Sequence, residues 1–510
     1  MHITQSLINT AQANPDHVVT IYRDRARTAA ETIDRVARFA GALRALGAAL
    51  GDRVGILALN SDRYHEFLHA VPWAGCVVTP VNVRWSAAEI AYSLVDSQTD
   101  ILLVDDNFAP LIPDLRELAP NLSSVIFIGE TQAPDGMLDY EQLVAGAGAV
   151  EDARRGGDDL YGIFYTGGTT GKPKGVMLSH RACLTSAMGS IVTADILNRG
   201  GVLLHAAPMF HLADLAAWLI ACLTRATHVM VPSFTPAGVV EAITRHGVTD
   251  TLLVPTMIQL FVDSPEAKNS DLSSLTRIVY GASPISEALL QRTLELFPKV
   301  RLSQGYGMTE IAAIATILTA DDHDDPTLRR SCGRPTAHSE VRIIGTGDVE
   351  LPRGDIGEIV VRGDHLMSGY WNKPAETSAV IRDGWMHTGD AGYMNEDGYV
   401  FVVDRLKDMV ITGGENVYTI EVENALAKHP AVAQVAVIGL PDENWGERVH
   451  AVVVLTPGTS VSEAELRDFC RMHIANYKLP RSTSFVDALP TSGAGKILKR
   501  DLREWYGTGR

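Results

Sequence analysis

From residue 53 to residue 280 the chain alternates short β-rich runs with longer helix-like stretches, and no other feature narrows its fold so far. The runs are 53–59, 101–104, 124–128, 162–165, 228–231, 251–254 and 277–280. Neighbouring antiparallel strands need only a tight turn between them, whereas parallel strands need a crossover of about a dozen residues or more. Strands separated by helices therefore imply parallel sheets covered on both faces, an α/β fold. Segment 28–46 shows the helical half of the pattern. Thr28 and Glu31 make a capping box, Ile33, Val36, Ala40 and Leu43 form an apolar stripe, and Gly47 supplies the stop.

The texture changes near Ser331, where Gly-rich strand-turn-strand segments at 357–363 and 398–403 suggest a smaller β subdomain. A boundary is expected between Asp404 and Arg405, dividing the chain into 1–404 and 405–510. The second part carries a helix at 419–428, strands at 432–438 and 450–455, and a helix at 462–474, a compact α+β unit. A chain of 510 residues has room for three or four structural units, so the first part holds several subdomains.

Charge and cysteines narrow the partners. With 44 Lys plus Arg against 61 Asp plus Glu, the net charge of −17 repels phosphate backbones and acidic membrane surfaces, which argues against nucleic acid as a partner. Cys76, Cys183, Cys222, Cys332 and Cys470 lie far apart, without the close pairs of zinc or redox motifs, and a reducing, cytoplasmic setting is expected. Residues 1–20 lack a basic patch followed by an apolar run, and the longest apolar stretch, 215–223, is too short to cross a bilayer. Neither export nor a transmembrane segment is expected; peripheral membrane contact and a homodimer both stay open.

The strongest local signal follows an apolar run: Tyr165-Thr166-Gly167-Gly168-Thr169-Thr170-Gly171-Lys172-Pro173-Lys174-Gly175. Small residues let backbone amides approach an anion, threonine hydroxyls donate hydrogen bonds, and two lysines add positive charge. The segment reads as a phosphate cradle. It is not a Walker A loop, because Thr166 stands where the first glycine belongs and Pro173 follows Lys172 where a magnesium-binding Ser or Thr would stand. Taken alone, a Gly-rich stretch of this kind also suits a surface turn.

Further segments follow in order: Pro208-Met209-Phe210-His211, Gly281-Ala282-Ser283-Pro284, Gln304-Gly305-Tyr306-Gly307-Met308-Thr309-Glu310, Thr388-Gly389-Asp390, Asp404-Arg405-Leu406-Lys407-Asp408, Gly413-Gly414-Glu415-Asn416-Val417-Tyr418, Tyr477-Lys478-Leu479-Pro480 and Gly495-Lys496. With the threonine-rich loop, this series resembles the adenylate-forming superfamily of acyl- and aryl-CoA synthetases, luciferases and peptide-synthetase adenylation domains. Weaker similarity from Thr28 through Gly51-Asp52-Arg53-Val54 and Pro80-Val81-Asn82 extends it over nearly the whole chain.

The resemblance implies ATP, Mg2+ and coenzyme A as reaction partners of a small carboxylic acid. It puts Thr166, Gly167, Gly168, Thr169, Thr170, Gly171 and Lys174 on the phosphates and Glu310 on magnesium. Gly281, Ala282, Ser283 and Tyr306 surround adenine, with Gln304, Gly305, Gly307 and Met308 in the same nucleotide site. Thr309 falls near the α-phosphate, and Asp390 and Arg405 on the ribose hydroxyls. Lys496 would bring the acid carboxylate and α-phosphate together, and His211 would wall the acyl pocket. Asp404 would be the hinge of a mobile lid, 405–510, that presents the Lys496 loop for adenylation and the Gly413-Gly414 loop for thioester formation. Local readings compete with these: Asp390 suits a tight turn, Asp404-Arg405 an interdomain salt bridge, and His211 simple packing.

Two departures stand out: Gly167 where the family usually has Ser, and Thr419 where Pro often follows the Val-Tyr pair. Peptide-synthetase domains usually carry Phe-Asp where this chain has Phe210-His211, which weighs against an amino-acid substrate, although Asp214 lies nearby. The expected activity is an ATP-dependent acid:CoA ligase that forms an acyl-AMP and then a thioester. The runs 212–223 and 311–318 carry no Lys or Arg to pair a second carboxylate. An apolar monocarboxylate, a medium- or long-chain fatty acid, therefore fits. Alternatives are an aryl-CoA ligase, transfer to a carrier protein, luciferase-like oxidation of the adenylate, and a nucleotide-binding sensor without catalysis.

Overall fold

The computed structural model describes residues 1–166, 172–283, 285–491 and 497–507. Among the described residues the strands form four sheets, of nine, eight, five and five strands. The eight-stranded sheet has parallel strands Val77–Pro80, Arg53–Leu57, Thr99–Val104 and Ser124–Phe127 at its centre. In the nine-stranded sheet, Val202–His205, Asp250–Leu253, Arg277–Gly281 and Arg301–Tyr306 likewise run parallel. The alternating β-rich runs are thus the centres of two α/β sheets.

At their margins these parallel-rich sheets carry antiparallel strands. Leu160–Thr166 pairs antiparallel with Lys174–Ser179, and Arg301–Tyr306 with Thr316–Leu318. The threonine-rich segment therefore joins two antiparallel strands, with Thr166 opposite Lys174, and does not open a helix. Antiparallel neighbours permit so short a connection, and it brings Lys174 back beside the strand that precedes the loop.

The capping box at Thr28 and Glu31 forms as read, and the helix behind it spans Ala29–Ala45. Val36, Ala40 and Leu43 are fully buried, and burying a Leu-sized side chain contributes about 1.5–3 kcal/mol. They join the largest core, to which the helices Asp62–Trp73, His180–Thr193 and Leu212–Thr224 and strands of both large sheets contribute. Asp62–Trp73 is buried on every side, charged residues included. Arg25 reaches Asp62 at 2.9 Å, Arg35 and the Tyr140 hydroxyl each reach Glu66 at 2.6 Å, and Arg63 reaches Glu141 at 3.0 Å. Buried charges persist only when paired in this way.

The β subdomain carries Glu340–Ile344, Gly357–Arg362, Trp385–Met394 and Val400–Arg405 in one antiparallel sheet. The last sheet is built on a long hairpin, Val432–Asp442 with Gly446–Leu455, longer than the two runs read from sequence because pairing continues to Asp442 opposite Gly446. Helices Thr419–Leu426, Glu463–Arg471 and Lys499–Gly507 accompany it, the third read from sequence only as a basic stretch.

Candidate active site

The strand before the threonine-rich loop is tied down by Tyr165, whose hydroxyl donates to Asp96 at 2.6 Å. On the far side of the loop, Lys172 Nζ lies 4.9 Å from the Tyr92 ring centroid. Lys174 Nζ lies 5.0 Å from that of Tyr370 and 3.6 Å from Glu376. Aromatic faces thus hold both ammonium groups. Of the residues expected here, Thr166 and Lys174 are described; Gly167, Gly168, Thr169, Thr170, Gly171 and Lys496 lie outside the described residues, as does Pro284.

Glu310 sits in the short 3-10 turn Thr309–Ile311, which follows Arg301–Tyr306 and Gly307-Met308. It is buried, and its Oε1 accepts a 2.8 Å hydrogen bond from the Tyr370 hydroxyl. Burial first, and the Glu310 charge second, push the Tyr370 phenol pKa far up, so it stays a donor. Tyr370 therefore touches both the Lys174 ammonium and the Glu310 carboxylate. Strand pairing explains its position: Gly369–Tyr370 lies antiparallel to Val176 and Met177, two residues beyond Lys174. Tyr370 was missed in the sequence, where it lies 60 residues from Glu310 with no local pattern to connect them.

One buried carboxylate suits Mg2+, which keeps several waters and binds through one or two carboxylates plus substrate phosphates. Among the described residues no group of three His, Cys, Asp or Glu side chains could hold a metal ion by itself. Glu310 could hold magnesium only together with the phosphates of a nucleotide.

The candidate adenine and ribose groups meet around the ends of two strands. Gly281 lies opposite Gly305 in the parallel ladder, and a Cβ at Gly281 would overlap the Gly305 carbonyl oxygen. Ala282, Ala312 and Ala313 hold φ of 66°, 50° and 91°, left-handed values that side-chain-bearing residues seldom adopt. Such strain clusters at binding sites, and these three alanines flank the Gly281 and Glu310 segments. A Cβ at Gly307 would strike the Ala313 carbonyl, so this turn also requires glycine. Ser283 is half-buried, and Met308 and Thr309 lead into the Glu310 turn. Gln304 is buried and accepts from Tyr280 at 3.3 Å.

Asp390 and Arg405 are cross-strand partners, with Arg405 Nε 2.8 Å from Asp390 Oδ1. The other Asp390 oxygen accepts from the Tyr306 hydroxyl at 2.8 Å. Burial and the Asp390 charge push the Tyr306 phenol well up, so it too remains a donor. Tyr306, Asp390 and Arg405, scattered over 100 positions, thus form one hydrogen-bonded set. Asp390 is part of a β-strand, not an isolated turn.

Asp404 is fully buried at the end of Val400–Arg405. Its carboxylate accepts from the Arg405 amide at 2.7 Å, the Thr419 hydroxyl at 2.8 Å and the Thr419 amide. Burial raises its pKa, and the nearby Lys499 ammonium opposes the rise. Thr419, the departure from Pro noted above, supplies two donors that proline lacks. Gly413 and Gly414 turn between Val410–Thr412 and Glu415–Val417 with φ of 62° and 81°, and the Gly413 amide donates to Trp445 at 2.8 Å.

His211 is the N-cap residue of Leu212–Thr224, its ring 4.1 Å from that of Phe210. Behind it, Leu212, Leu215, Trp218 and Leu219 face Tyr161 and Cys183 across a narrow apolar cavity with room for about one water molecule. Asp214 is buried and turned toward His205, its Oδ2 2.7 Å from Nδ1, so it does not line this cavity.

A family model described as AMP-binding enzyme matches residues 7–371, and a model of the AMP-binding enzyme C-terminal domain matches residues 421–496. The chain belongs to the AMP-binding enzyme family. This AMP-binding enzyme is 38% identical over 501 residues to feruloyl-CoA synthase of Amycolatopsis sp, covering 98% of each chain. It is 35% identical over 527 residues to the medium/long-chain-fatty-acid–CoA ligase FadD8 of Mycobacterium tuberculosis, covering 100% of this chain and 91% of that one. Among solved structures it is similar to ATP-bound MatB from Rhodopseudomonas palustris, with a TM-score of 0.90, 30% identity, and 100% and 99% coverage. The protein is an AMP-forming ligase of the acyl- and aryl-CoA ligase family, and ATP and CoA are the cosubstrates that family implies. No helix among the described residues is long and apolar enough to cross a membrane.

Proposed function

We propose that this enzyme activates an apolar monocarboxylic acid, a medium- or long-chain fatty acid, as its acyl-AMP and then transfers the acyl group to coenzyme A. The observation that supports the reading is the apolar face of Leu212–Thr224 next to His211, where Leu212, Leu215, Trp218 and Leu219 face Tyr161 and Cys183 with no charged side chain among them. A second carboxylate or an ammonium in the substrate would find no partner there, and an unpaired buried charge is strongly disfavoured. Asp214, the one acid close enough in sequence to pair an amine, faces His205 instead.

In this reading Thr166, the glycine-threonine loop and Lys174 bind the triphosphate, and Asp390 and Arg405 take the ribose. Glu310 would hold Mg2+, which would supply charge neutralisation at the phosphates. Gly281, Ala282, Ser283, Gly305 and Tyr306 form the adenine site, with Gln304, Gly307, Met308 and Thr309 supporting it. Lys496 aligns the acid carboxylate with the α-phosphate, where donors aimed at developing charge are most effective. The attacking carboxylate oxygen displaces pyrophosphate, and the CoA sulfur then displaces AMP. Residues 405–510 act as a lid that pivots at Asp404 and brings Gly413 and Gly414 up for the second step. Two reactions at one centre, served by loops far apart in one small unit, favour such a rotation. A cytoplasmic location belongs to this reading, since all five cysteines are free thiols.

A second reading, an aryl acid, is favoured by Tyr161 and Trp218 in the cavity lining. The deciding experiment scores CoA-dependent AMP release with acetate, malonate, octanoate, palmitate, cinnamate and benzoate. Octanoate or palmitate should lead. Cinnamate or benzoate in first place selects the aryl reading, and malonate or acetate in first place removes both.

A further inference from the structure

The helix Leu212–Thr224 has two unlike faces. Leu212, Leu215, Trp218 and Leu219 line the cavity, whereas Asp214 and Cys222 do not, and Asp214, Trp218 and Cys222, spaced four residues apart, each make a polar contact. Asp214 meets His205 Nδ1 at 2.7 Å, Trp218 Nε1 donates to His65 Nδ1 at 2.9 Å, and Cys222 Sγ lies 3.6 Å from His228 Nε2. His205 Nε2 and His228 Nδ1 are themselves 2.9 Å apart, with their ring planes within 8° of parallel. His65, His205, His228 and Asp214 are all buried.

The carboxylate orders the protons along this chain. It accepts from His205 Nδ1–H, so His205 Nε2 accepts from His228 Nδ1–H, and His228 Nε2 is left to accept the Cys222 S–H. Asp214 and Cys222 stand two turns apart on one helix, while His205 and His228 belong to adjacent strands Val202–His205 and Thr227–Met230. The chain is therefore closed: helix to strand, strand to strand, strand back to helix. His205 and Asp214 also bracket segment 206–211, which carries His211. Buried Asn60 holds the same segment from the other side, donating to the carbonyls of His205 at 3.2 Å and Ala207 at 2.9 Å and accepting from the Met209 amide at 2.8 Å.

We propose that the Asp214–His205–His228–Cys222 chain, with Asn60, is a positioning device that holds Leu212–Thr224 and His211 in one placement and so sets acid recognition without serving ATP. The proposal rests on the reading that this helix walls the acid pocket. Displacing this helix costs more than its apolar packing alone, because it also breaks directional bonds in a dry interior. None of the four residues lines the cavity, so they act on the substrate only through the helix and the loop they fix.

The test compares Asp214→Leu with Asp214→Asn, which keeps an acceptor facing His205 Nδ1, and Cys222→Ala with Cys222→Ser, which keeps a donor facing His228. Steady-state KM values are measured for ATP and for whichever acid leads the panel. Asp214→Leu should raise KM for the acid about 10- to 100-fold, the range seen when supporting hydrogen bonds are lost. KM for ATP should stay within about twofold, and Asp214→Asn should recover most of the loss. Cys222→Ala should move KM in the same direction by less, and Cys222→Ser should restore it; this pair decides the matter if Asp214→Leu does not fold. Equal rises in KM for acid and ATP, or conservative variants no better than the disruptive ones, overturn the proposal. A lead acid other than an apolar one removes the substrate reading and leaves this comparison standing.

Discussion

Tyr370→Phe removes a single hydroxyl and keeps the ring that Lys174 faces at 5.0 Å. What is lost is the 2.8 Å hydrogen bond to Glu310 Oε1. Glu310 is buried, so water does not readily replace the missing donor. A hydrogen bond to a charged group contributes about 1.5–3 kcal/mol, which corresponds to roughly 10- to 150-fold in an equilibrium constant. Loss of a hydrogen bond that orients a metal ligand costs about 10- to 100-fold in metal affinity, so two independent arguments converge on one range. Acid-dependent exchange of pyrophosphate into ATP, titrated with magnesium at fixed ATP, reads the effect directly. The half-saturating magnesium concentration should rise about 10- to 100-fold while KM for the acid changes less than about twofold. Wild-type magnesium dependence in Tyr370→Phe would refute the assignment of Glu310 as the metal-holding carboxylate, and a change in acid KM alone would relocate Tyr370 to the acid pocket.

Two further perturbations probe the nucleotide site and the core. Gly281→Ala forces a methyl group onto the Gly305 carbonyl oxygen and must part the two strands, so KM for ATP should rise by at least about fivefold, a lower bound set by overpacking costs of about 1–3 kcal/mol; unchanged ATP kinetics would remove these glycines from the adenine site. Burial pushes His69 and His365 down to about 3 and His180 and His450 down to about 4, against 6.5 for a free histidine. Below pH 6.5 the unfolded chain therefore binds more protons than the folded one, and stability falls as pH drops from 6.5 toward 3. Urea midpoints should decline steadily from pH 7 to pH 5, and His69→Leu should make that decline shallower; a midpoint independent of pH would contradict the burial of these rings.

Consecutive residues were readable because their chemistry needs no distant partner. The capping box at Thr28 and Glu31, the threonine-rich segment with its two lysines, and the β-rich runs all declare themselves within a few positions. Asp62–Trp73 did not, because periodicity reports a helix only when one face is wet, and this one is buried all round with its charges paired to Arg25, Arg35 and Glu141. The long strand Val432–Asp442 was read short because its last residues owe their conformation to pairing with Glu447 and Gly446, not to their own propensity.

The sequence by itself determined which chemical groups the protein owns and the order in which they arrive: a threonine- and glycine-rich segment with two lysines, a Met-Thr-Glu run, an Asp-Arg pair and Lys496 near the end. Tertiary structure alone decided which of them touch. It joined Tyr370 to both Glu310 and Lys174, tied Tyr306 and Arg405 to one carboxylate, and turned Asp214 inward to His205 and away from the cavity. The physical reason is that a side chain's role depends on the direction and burial of its bonds. Both are set when sheets and helices close on one another across tens or hundreds of residues, a distance over which no local pattern carries information.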